Sequence, residues 1–338
     1  MDARRAPLHP VDPSTLLTLL TLRDETIRFQ LATTLDGAVS QHARSVLATV
    51  LLPEAMDDRF DSWPGPNPND RQAVAHNNFI GVTATDDGRP VGFVGGIAEK
   101  GGLRLDLLVA PSLPDPSIAG ATLLHTILSP DSPDVAQLSH LGVDAIEIWG
   151  RPSFGWHDDV VERFGFSPHR ELHQMRCDLP IGAAVLQTRA LNPDIDLGAL
   201  VEVNNRAFAS HPDQGTLTVD SLRATMEESW FSAEGVRIFE LDGRIAGFCW
   251  TKVHKYPLHP RTPDHGEIYV IAIDPDFHGR GLGVPMTASG LSWLADQGLP
   301  TAMLYVEADN SPAIRTYRRL GFTVTRTDKA WIRLVPTQ

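Results

Sequence analysis

A glycine-rich segment in the C-terminal half is the clearest candidate for chemistry in this chain. The segment HGRGLG, His278–Gly283, follows the apolar run IYVIAI and precedes the apolar run VPMTASGLSWLADQG. Glycines let a backbone approach a ligand closely, and the unpaired N–H groups of a first helical turn attract phosphate. The spacing matches neither GxGxxG nor GxxxxGKS/T. It therefore predicts a local phosphate-binding loop between a strand and a helix, without support for nucleotide hydrolysis.

A second group of residues suggests metal binding. The segment HKYPLHPRTPDH brings His254, His259 and His265 close together in the sequence. Its prolines favour a mobile loop over a rigid set of ligands, and no CxxC pair accompanies the histidines. We therefore expect no metal in this protein.

The glycine-rich loop resembles the pyrophosphate loop of the GNAT superfamily of acyl-CoA-dependent N-acyltransferases. That loop reads Gln or Arg, two residues, Gly, one residue, then Gly or Ala. This chain departs from the pattern at the first position, where it has His278. A histidine can still donate a hydrogen bond, and backbone N–H groups supply most of the contacts. The resemblance implies acetyl-CoA as the co-substrate.

Four longer motifs narrow the resemblance to a branch of the superfamily with two GNAT domains. In chain order they are VNNRAFASHPDQG (203–215), WTKVH (250–254), GEIYVIAIDP (266–275) and LYVEADNSPAIRTYRRLGF (304–322). This branch acetylates the cysteinyl amine of cysteinyl-glucosaminyl-inositol, the last step of mycothiol biosynthesis, and the resemblance implies the same small-molecule acceptor here. Two alternatives stay open: another amine acceptor, such as an aminoglycoside or a peptide N-terminus, and a non-catalytic CoA-binding sensor.

Acetyl transfer from a thioester to an amine needs a deprotonated amine and a proton for the departing thiolate. The resemblance makes Glu267 the base, aided by water, and places Tyr317 beside the thioester sulfur as the general acid. An α-amino group has a pKa of about 8, so an ordinary carboxylate suffices as the base. From reference pKa values, proton transfer from tyrosine to a thiolate is uphill by about 2 kcal/mol. A solvated strand-end carboxylate and a core tyrosine are the structural alternatives.

The resemblance also implies how the rest of CoA and the acceptor are bound. The pantetheine arm would pair with the end of a strand as an added strand, and the loop and the next helix would hold the pyrophosphate. The implied CoA contacts are Ile271, Ala272, Ile273, His278, Gly279, Arg280, Gly281, Leu282, Gly283, Val284, Asn310, Ser311, Pro312, Ala313, Ile314 and Arg315. The implied acceptor contacts are Asp213, Lys252, Glu267 and Tyr305. Ser311 is also the expected N-cap of the helix that carries Tyr317.

The two halves of the chain repeat the same order of motifs. RPVGFVGG (89–96) resembles RIAGFCWT (244–251), GGLRLDLLVAP (101–111) resembles HGEIYVIAIDP (265–275), and VVERFGF (160–166) resembles TYRRLGF (316–322). Such a long period indicates a tandem duplication. Strands precede a helix, another apolar strand and a final helix in each half, which predicts a mixed α/β sheet. We predict two GNAT-like domains, 1–180 and 181–338.

The first copy lacks counterparts of the base and the acid that the resemblance implies in the second copy. Leu103 stands in the place of Glu267, and Val161 in the place of Tyr317. Its loop carries Asp115, which would repel phosphate, between two prolines that lack N–H groups. We therefore predict that the N-terminal domain does not catalyse.

Composition limits the remaining possibilities. The net charge of -13 opposes binding to nucleic acid, and no run reaches the ~20 apolar residues of a membrane span. Cys177 and Cys249 are too few for a disulfide framework. The N-terminal segment is interrupted by Pro10, Asp12 and Pro13, unlike a signal peptide. We expect a soluble cytoplasmic monomer with no nucleic-acid or membrane partner.

Overall fold

A computed structural model of the chain describes residues 27–32, 79–86, 89–99, 101–110, 113–129, 142–151, 153–209, 211, 214–228, 230–255 and 263–335. Asp213 and His259 lie outside these residues. The chain divides into two units, one of Met1–Glu171 with Thr327–Gln338 and one of Leu172–Arg326. These units differ from the ranges 1–180 and 181–338 in the assignment of two segments, residues 172–180 and the C-terminal residues.

The first unit is a sheet with two helices in its described part. Its strands in chain order are β1 (Ile27–Ala32), β2 (Phe79–Asp86), β3 (Arg89–Glu99), β4 (Gly102–Val109), β5 (Ala145–Gly150) and the last part of β12 (Thr323–Leu334). Neighbouring strands follow this same order across the sheet. The helices are α1 (Pro116–Leu128) and α2 (Gly155–Arg163).

The C-terminal strand belongs to the first unit because of its pairing and its core residue. Residues Lys329–Leu334 pair antiparallel with Gly150–Ala145 of β5. Trp331 is 1% exposed in the same apolar cluster as Leu105 of β4 and Leu123 of α1. Its indole N–H also donates to Asp158 at 3.0 Å. Burying a tryptophan removes about 150–250 Å² of surface from water, so the strand is anchored by its side chain as well as by its ladder.

The second unit repeats the layout with its own strands and helices. The strands are β6 (Ser167–Asp178, from Leu172 on), β7 (Arg189–Ala190), β8 (Val236–Leu241), β9 (Arg244–His254), β10 (His265–Ile273) and β11 (Thr301–Glu307). Their order across the sheet is β6, β11, β10, β9, β8, β7. The helices are α3 (Leu197–Ala207), α4 (Val219–Met226), α5 (Gly283–Asp296) and α6 (Ser311–Arg319). The mixed α/β class that the sequence predicts is confirmed.

Successive side chains of β9 point to opposite faces of the sheet and pack into two different apolar clusters. Cys249 packs with Leu291 of α5, whereas Phe248 and Trp250 pack with Leu200 of α3 and with α4. This period of two is the expected one for a strand covered on both faces. The β8–β9 turn supports the register, because Asp242 and the following glycine both have positive φ, 54° and 75°, as a two-residue hairpin turn requires.

β10 separates from β11 shortly after the two strands meet. The parallel ladder between them consists of Gly266 with Ala302 and Glu267 with Met303. On its other side β10 has a register shift between Ile268 and Val270 and then stays paired with β9 to its end. A bulge of this kind bends a strand. A gap between β10 and β11 therefore begins directly after Glu267.

The corresponding strands of the first unit stay together for longer. β4 pairs in parallel with β5 from Gly102 to Asp106. Its ladder with β3 runs from Gly92 opposite Val109 to Glu99 opposite Gly102 without a register shift. The gap that opens after Glu267 in the second unit is thus bridged by ladder pairs at the equivalent place in the first.

Among the helices of the described residues, none combines the length and the apolar character that a bilayer span requires.

Candidate active site

The glycine-rich loop has the form that the sequence predicts, a tight turn between a strand and a helix. Gly279 and Gly281 have φ of 76° and 74°, in the left-handed region that other residues avoid. Gly283 instead begins α5, and a Cβ placed there would lie 3.6 Å from Thr316, an ordinary contact. Two of the three glycines are therefore required by backbone conformation, and the third is not.

The N-terminus of α5 is open to an anion. No side chain caps it, and its first turn carries no acidic residue. α1 of the first unit is different, because the Asp115 side chain accepts a hydrogen bond from the Ser117 N–H at 3.1 Å. An unoccupied helix N-terminus leaves N–H groups and a partial positive charge for a ligand. Of these two equivalent helices, only α5 presents an uncapped N-terminus.

The strand end that leads into the loop is held by charged and aromatic contacts. Asp274 is buried, lies 3.2 Å from Arg206, and accepts a hydrogen bond from the N–H two residues further on at 2.9 Å. The guanidinium groups of Arg244 and Arg280 lie 5.4 Å and 5.1 Å from the centre of the Phe277 ring. These contacts stabilise the turn, and Arg280 is engaged in one of them.

A cleft of about 420 Å³ lies between the end of β10, the loop and the start of α6. Most of the implied CoA contacts line it, namely Ile271, Ala272, Ile273, His278, Gly279, Gly281, Leu282, Gly283, Asn310, Pro312 and Ala313. Ala207 and Phe208 at the end of α3, together with Phe277 and Thr316, line it too and were not identified from sequence. Ala207 and Phe208 lie within the motif VNNRAFASHPDQG (203–215), so the resemblance had already indicated this segment.

Five of the implied contacts lie elsewhere. Arg280 stacks on Phe277, and Ile314 and Val284 pack into the apolar cluster beneath α5 and α6. Ser311 and Arg315 are exposed. Helical periodicity explains the positions of Ser311, Ile314 and Arg315, because only one face of α6 can border the cleft.

Alternation along β10 decides which backbone groups reach the gap. The Asp274 N–H donates to the Ala246 carbonyl at 2.9 Å, so Asp274 and Ala272 direct their backbone groups toward β9. Ile271 and Ile273 therefore direct theirs away from β9. His278 Nε2 lies 2.8 Å from the Ile273 carbonyl oxygen and must be the donor. The His278 ring thus joins the loop to the strand. Its Nε2–H donates to the Ile273 carbonyl and not to a ligand.

Glu267 is buried beside the point where β10 leaves β11. It is 7% exposed and lies opposite Lys252 in the ladder with β9. Its Oε2 is 2.8 Å from His254 Nε2, and the His254 ring stacks on His265 at 4.8 Å between centroids. Of the three histidines considered for metal binding, His254 therefore contacts this carboxylate and His265 stacks on His254. No group of three or more potential ligands able to hold a metal occurs among the described residues.

Two of the other implied acceptor contacts, Lys252 and Tyr305, share one face of the sheet with Glu267. Lys252 is opposite Glu267, Tyr305 is two residues beyond Met303, and Gln174 is opposite Tyr305. Cross-strand partners lie on the same face. The Tyr305 hydroxyl accepts hydrogen bonds from Gln174 at 3.1 Å and Arg326 at 2.7 Å. Neither Gln174 nor Arg326 could be identified from the sequence, since they are 131 and 21 residues away from Tyr305 in the chain.

Aromatic rings border the same face near Lys252. Its ammonium lies 4.6 Å from the centre of the Trp230 ring and 5.9 Å from that of Tyr269. Cation–π contacts of this kind hold a lysine head group in place. Lys252 is 4% exposed, so it forms part of a buried wall rather than a mobile surface charge.

Tyr317 lies on the opposite, apolar side of the sheet. It is 8% exposed, packs edge-on against Phe322 at 5.9 Å, and belongs to the cluster under α5 and α6. Burial raises the pKa of its phenol above the ordinary value. The helix start was misassigned by one residue: Asn310 is the N-cap and accepts from the Ala313 N–H at 3.1 Å. Its amide oxygen reaches that N–H, whereas Ser311 already has helical geometry.

Comparison with known proteins agrees with this fold and loop. A model of the acetyltransferase (GNAT) family matches residues 202–322. A solved GCN5-related N-acetyltransferase from Sphaerobacter thermophilus has a TM-score of 0.68 and 17% identity, covering 93% of this chain and 97% of its own. The class of protein that the fold and loop define is therefore the GNAT N-acetyltransferases.

Curated relatives specify the family within this class. A mycothiol acetyltransferase of Acidimicrobium ferrooxidans is 40% identical over 265 residues, 76% of this chain and 81% of the relative. One of Pseudarthrobacter chlorophenolicus is 43% identical over 190 residues, 54% of this chain and 58% of the relative. The chain belongs to the mycothiol acetyltransferase family.

Proposed function

We propose that this protein transfers the acetyl group of acetyl-CoA to the cysteinyl amine of cysteinyl-glucosaminyl-inositol. The observation that carries the proposal is the position of Glu267, a buried carboxylate at the apex of the gap between β10 and β11. The phosphate-type loop lies at the other end of the same strand. An acyl-CoA in the cleft of the second unit would thus bring its thioester toward the carboxylate.

The cleft fits acetyl-CoA through local chemistry. The open helix N-terminus and the left-handed glycines suit a pyrophosphate. The outward backbone groups of Ile271 and Ile273 suit the amides of a pantetheine arm, which can pair like a strand. The two ends of the site therefore select a phosphate and an extended amide chain.

The residues of the chain divide the proton transfers between them. Glu267 takes a proton from the acceptor ammonium, directly or through water, and the free amine forms the new C–N bond as the C–S bond breaks. Tyr317 gives a proton to the departing thiolate. Because burial raises the pKa of Tyr317, this second transfer costs more than the reference value of about 2 kcal/mol.

The acceptor's chemistry is supported by the polar character of the face around Glu267. Lys252, Tyr305, Gln174 and Arg326 line it with hydrogen-bonding groups. A ligand rich in hydroxyl groups can add hydrogen bonds to such a face, whereas the apolar part of an alkyl amine would cover it without adding any. A hydroxyl-rich amine is therefore the favoured class of acceptor.

The deciding experiment is an assay of the full chain with acetyl-CoA and cysteinyl-glucosaminyl-inositol. Thiol release and the mass of the acetylated product would be followed, with an aminoglycoside and a peptide N-terminus as competing acceptors. Preferential acetylation of the cysteinyl amine supports the proposal. Turnover of a competing amine alone would move the acceptor to that class. CoA binding without turnover of any amine would favour a sensor.

We also propose that the first unit is non-catalytic. Leu103 is buried in the place of Glu267, and Val161 in the place of Tyr317. Asp115 caps the helix whose N-terminus would bind phosphate. The β4–β5 ladder continues through Asp106, where the second unit has its gap. The base and the acid are each replaced by a buried apolar side chain, the anion site by a capping contact, and the gap by ladder pairs.

A cut at residue 180, the boundary between the proposed ranges 1–180 and 181–338, would separate β6 from the rest of the second unit. This leads to a prediction about fragments. A chain that begins at residue 181 lacks Leu172–Asp178, which pairs along the whole of β11 and places Met175 and Cys177 in the core. We expect this fragment to be largely insoluble, because it exposes a strand edge and loses buried side chains worth about 2–5 kcal/mol each. Soluble yield and thermal unfolding relative to the full chain would measure this. A folded, fully active fragment would contradict it.

Both cysteines should be chemically silent. Cys177 and Cys249 are buried, and desolvation raises the pKa of each thiol to about 12. We therefore expect transfer directly between the two substrates, without an acetylated cysteine. Native protein treated with iodoacetamide at pH 8 should keep its activity and both thiols by mass spectrometry. Trapping of an acetyl-cysteine on incubation with acetyl-CoA alone would refute direct transfer.

Replacement of Tyr317 by phenylalanine tests the proposed acid. The ring packing on Phe322 is kept and only the hydroxyl is lost, so the fold should persist. We expect kcat to fall about 100-fold, the low end for general acid–base groups, because the buried phenol is a weak acid. The Kd for CoA, measured by calorimetry, should not change. If kcat of Tyr317→Phe equalled that of wild type, Tyr317 would not be the general acid and would serve only in packing.

A further inference from the structure

The buried carboxylate of Glu267 has one hydrogen bond within the described part of the chain, and it uses one of its two oxygens. That bond joins Oε2 to His254 Nε2 at 2.8 Å. The side chain of Glu267 is 9% exposed and that of His254 is 1% exposed. A buried carboxylate without a donor is costly, so this contact determines where the group points.

The position of His254 follows from the register of β9 and β10. His254 lies opposite His265, and Glu267 lies opposite Lys252, so His254 and Glu267 are diagonal neighbours on one face. Diagonal partners of this kind are within reach of long side chains. The ring plane of His254 is defined by stacking on His265 with an interplanar angle of 19°. The donor is therefore oriented by two strands and a second ring.

We propose that His254 is a positioning residue that holds one oxygen of Glu267 and thereby presents the other to the acceptor amine. The inference rests on the proposed function for the identity of that amine. Since a carboxylate accepts and cannot donate, His254 must carry its proton on Nε2. A base that is free to rotate would spend less time in reach of the amine, and a misplacement of about 1 Å can cost about 100-fold in rate.

The neighbours of Glu267 do not substitute for His254. Lys252 has its ammonium at 4.6 Å from the Trp230 ring, and His265 backs the imidazole of His254 rather than the carboxylate. On β11 the ladder partner is Met303, which has no N–H or O–H donor in its side chain. Loss of His254 should therefore affect the orientation of the base selectively.

Two variants separate positioning from mere filling of space. His254→Gln keeps a side-chain N–H near the place of Nε2, whereas His254→Leu keeps bulk and removes the donor. We expect kcat for acetyl transfer to fall about 10- to 100-fold in His254→Leu, and His254→Gln to stay within about 3-fold of wild type. The Kd for CoA should be unchanged in both. Equal loss in the two variants, or none in His254→Leu, would overturn the proposal.

A matched control is the other described histidine that is 1% exposed, His157 of the first unit. Its ring stacks on Trp156 and accepts the Phe154 N–H at 3.0 Å. His157→Leu should lower stability without changing kcat per folded molecule, with the folded fraction measured by circular dichroism. A comparable fall in kcat there would assign the His254→Leu effect to general destabilisation and overturn the proposal.

A measurement independent of turnover tests the contact itself. Nitrogen-15 NMR of the full chain reports which ring nitrogen of His254 is protonated. We expect the proton on Nε2 in wild type, and an unprotonated Nε2 would overturn the proposal. If wild type acetylated no cysteinyl amine while Nε2 carried the proton, the acceptor assignment would fail and the contact between His254 and Glu267 would stand.

Discussion

Glu267→Gln should lower kcat/KM for the acceptor by about 100- to 1000-fold near neutral pH, within the range of general base catalysis. Glutamine has the same shape and its amide oxygen can still accept from His254. It cannot take a proton from an ammonium group. The Kd for acetyl-CoA should be unchanged, because Glu267 lies outside the set of residues that line the cleft proposed for CoA.

The pH dependence of this variant gives a second readout. An α-amino group loses its proton with a pKa of about 8, so the amine becomes free without help as the pH rises. The deficit of Glu267→Gln should therefore shrink between pH 7 and pH 9. Glu234→Gln is the control, since that side chain is 75% exposed and distant in sequence from the gap. If kcat/KM of Glu267→Gln at pH 7 equalled that of wild type, Glu267 would not be the general base.

Gly281→Val should raise the KM for acetyl-CoA by about 10- to 100-fold. The φ of Gly281 is 74°, a value that a β-branched residue adopts only with strain of about 1–3 kcal/mol. The loop would relax to negative φ and turn its N–H groups away from the phosphate. Each charge-assisted hydrogen bond lost contributes about 1.5–3 kcal/mol, and 1.4 kcal/mol corresponds to a tenfold change in affinity.

The matched control for this change is Gly283→Ala. Gly283 is the first residue of α5, its φ is not positive, and an added Cβ would make an ordinary contact with Thr316. Its Kd for CoA, measured by calorimetry, should stay near the wild-type value. Equal affinity of Gly281→Val and wild type would show that the left-handed turn does not hold the phosphate. Equal loss in both variants would assign the effect to crowding.

The parts of the site that lie within one short segment could be predicted from the sequence. The loop at His278–Gly283 depends on backbone conformation and on a helix that begins within the same residues, so its signal is local. The end of α6 is equally local, since Gly321 has φ of 86°. The N-cap of α6 was misplaced by one residue because both Asn310 and Ser311 are suitable capping types.

The parts that depend on pairing between distant strands could not be predicted. Gln174 and Tyr305 are separated by 131 residues and meet because β6 pairs with β11. The assignment of the last part of β12 to the first unit depends on the burial of Trp331 against β4 and α1. Periodicity shows which side of a strand is apolar, but it does not show which strand lies beside it.

The sequence by itself determined the mixed α/β class and the glycine-rich loop, because each is written in neighbouring residues or in a motif order shared by the two halves. The candidate base Glu267 came from the family resemblance. Only the tertiary structure decided that Ile271 and Ile273 direct their backbone groups toward the gap, that Arg326 contacts Tyr305, and that His254 holds Glu267. The physical reason is register: the bulge after Glu267 and the ladders on either side of β10 set these contacts, and both are products of packing across the whole sheet.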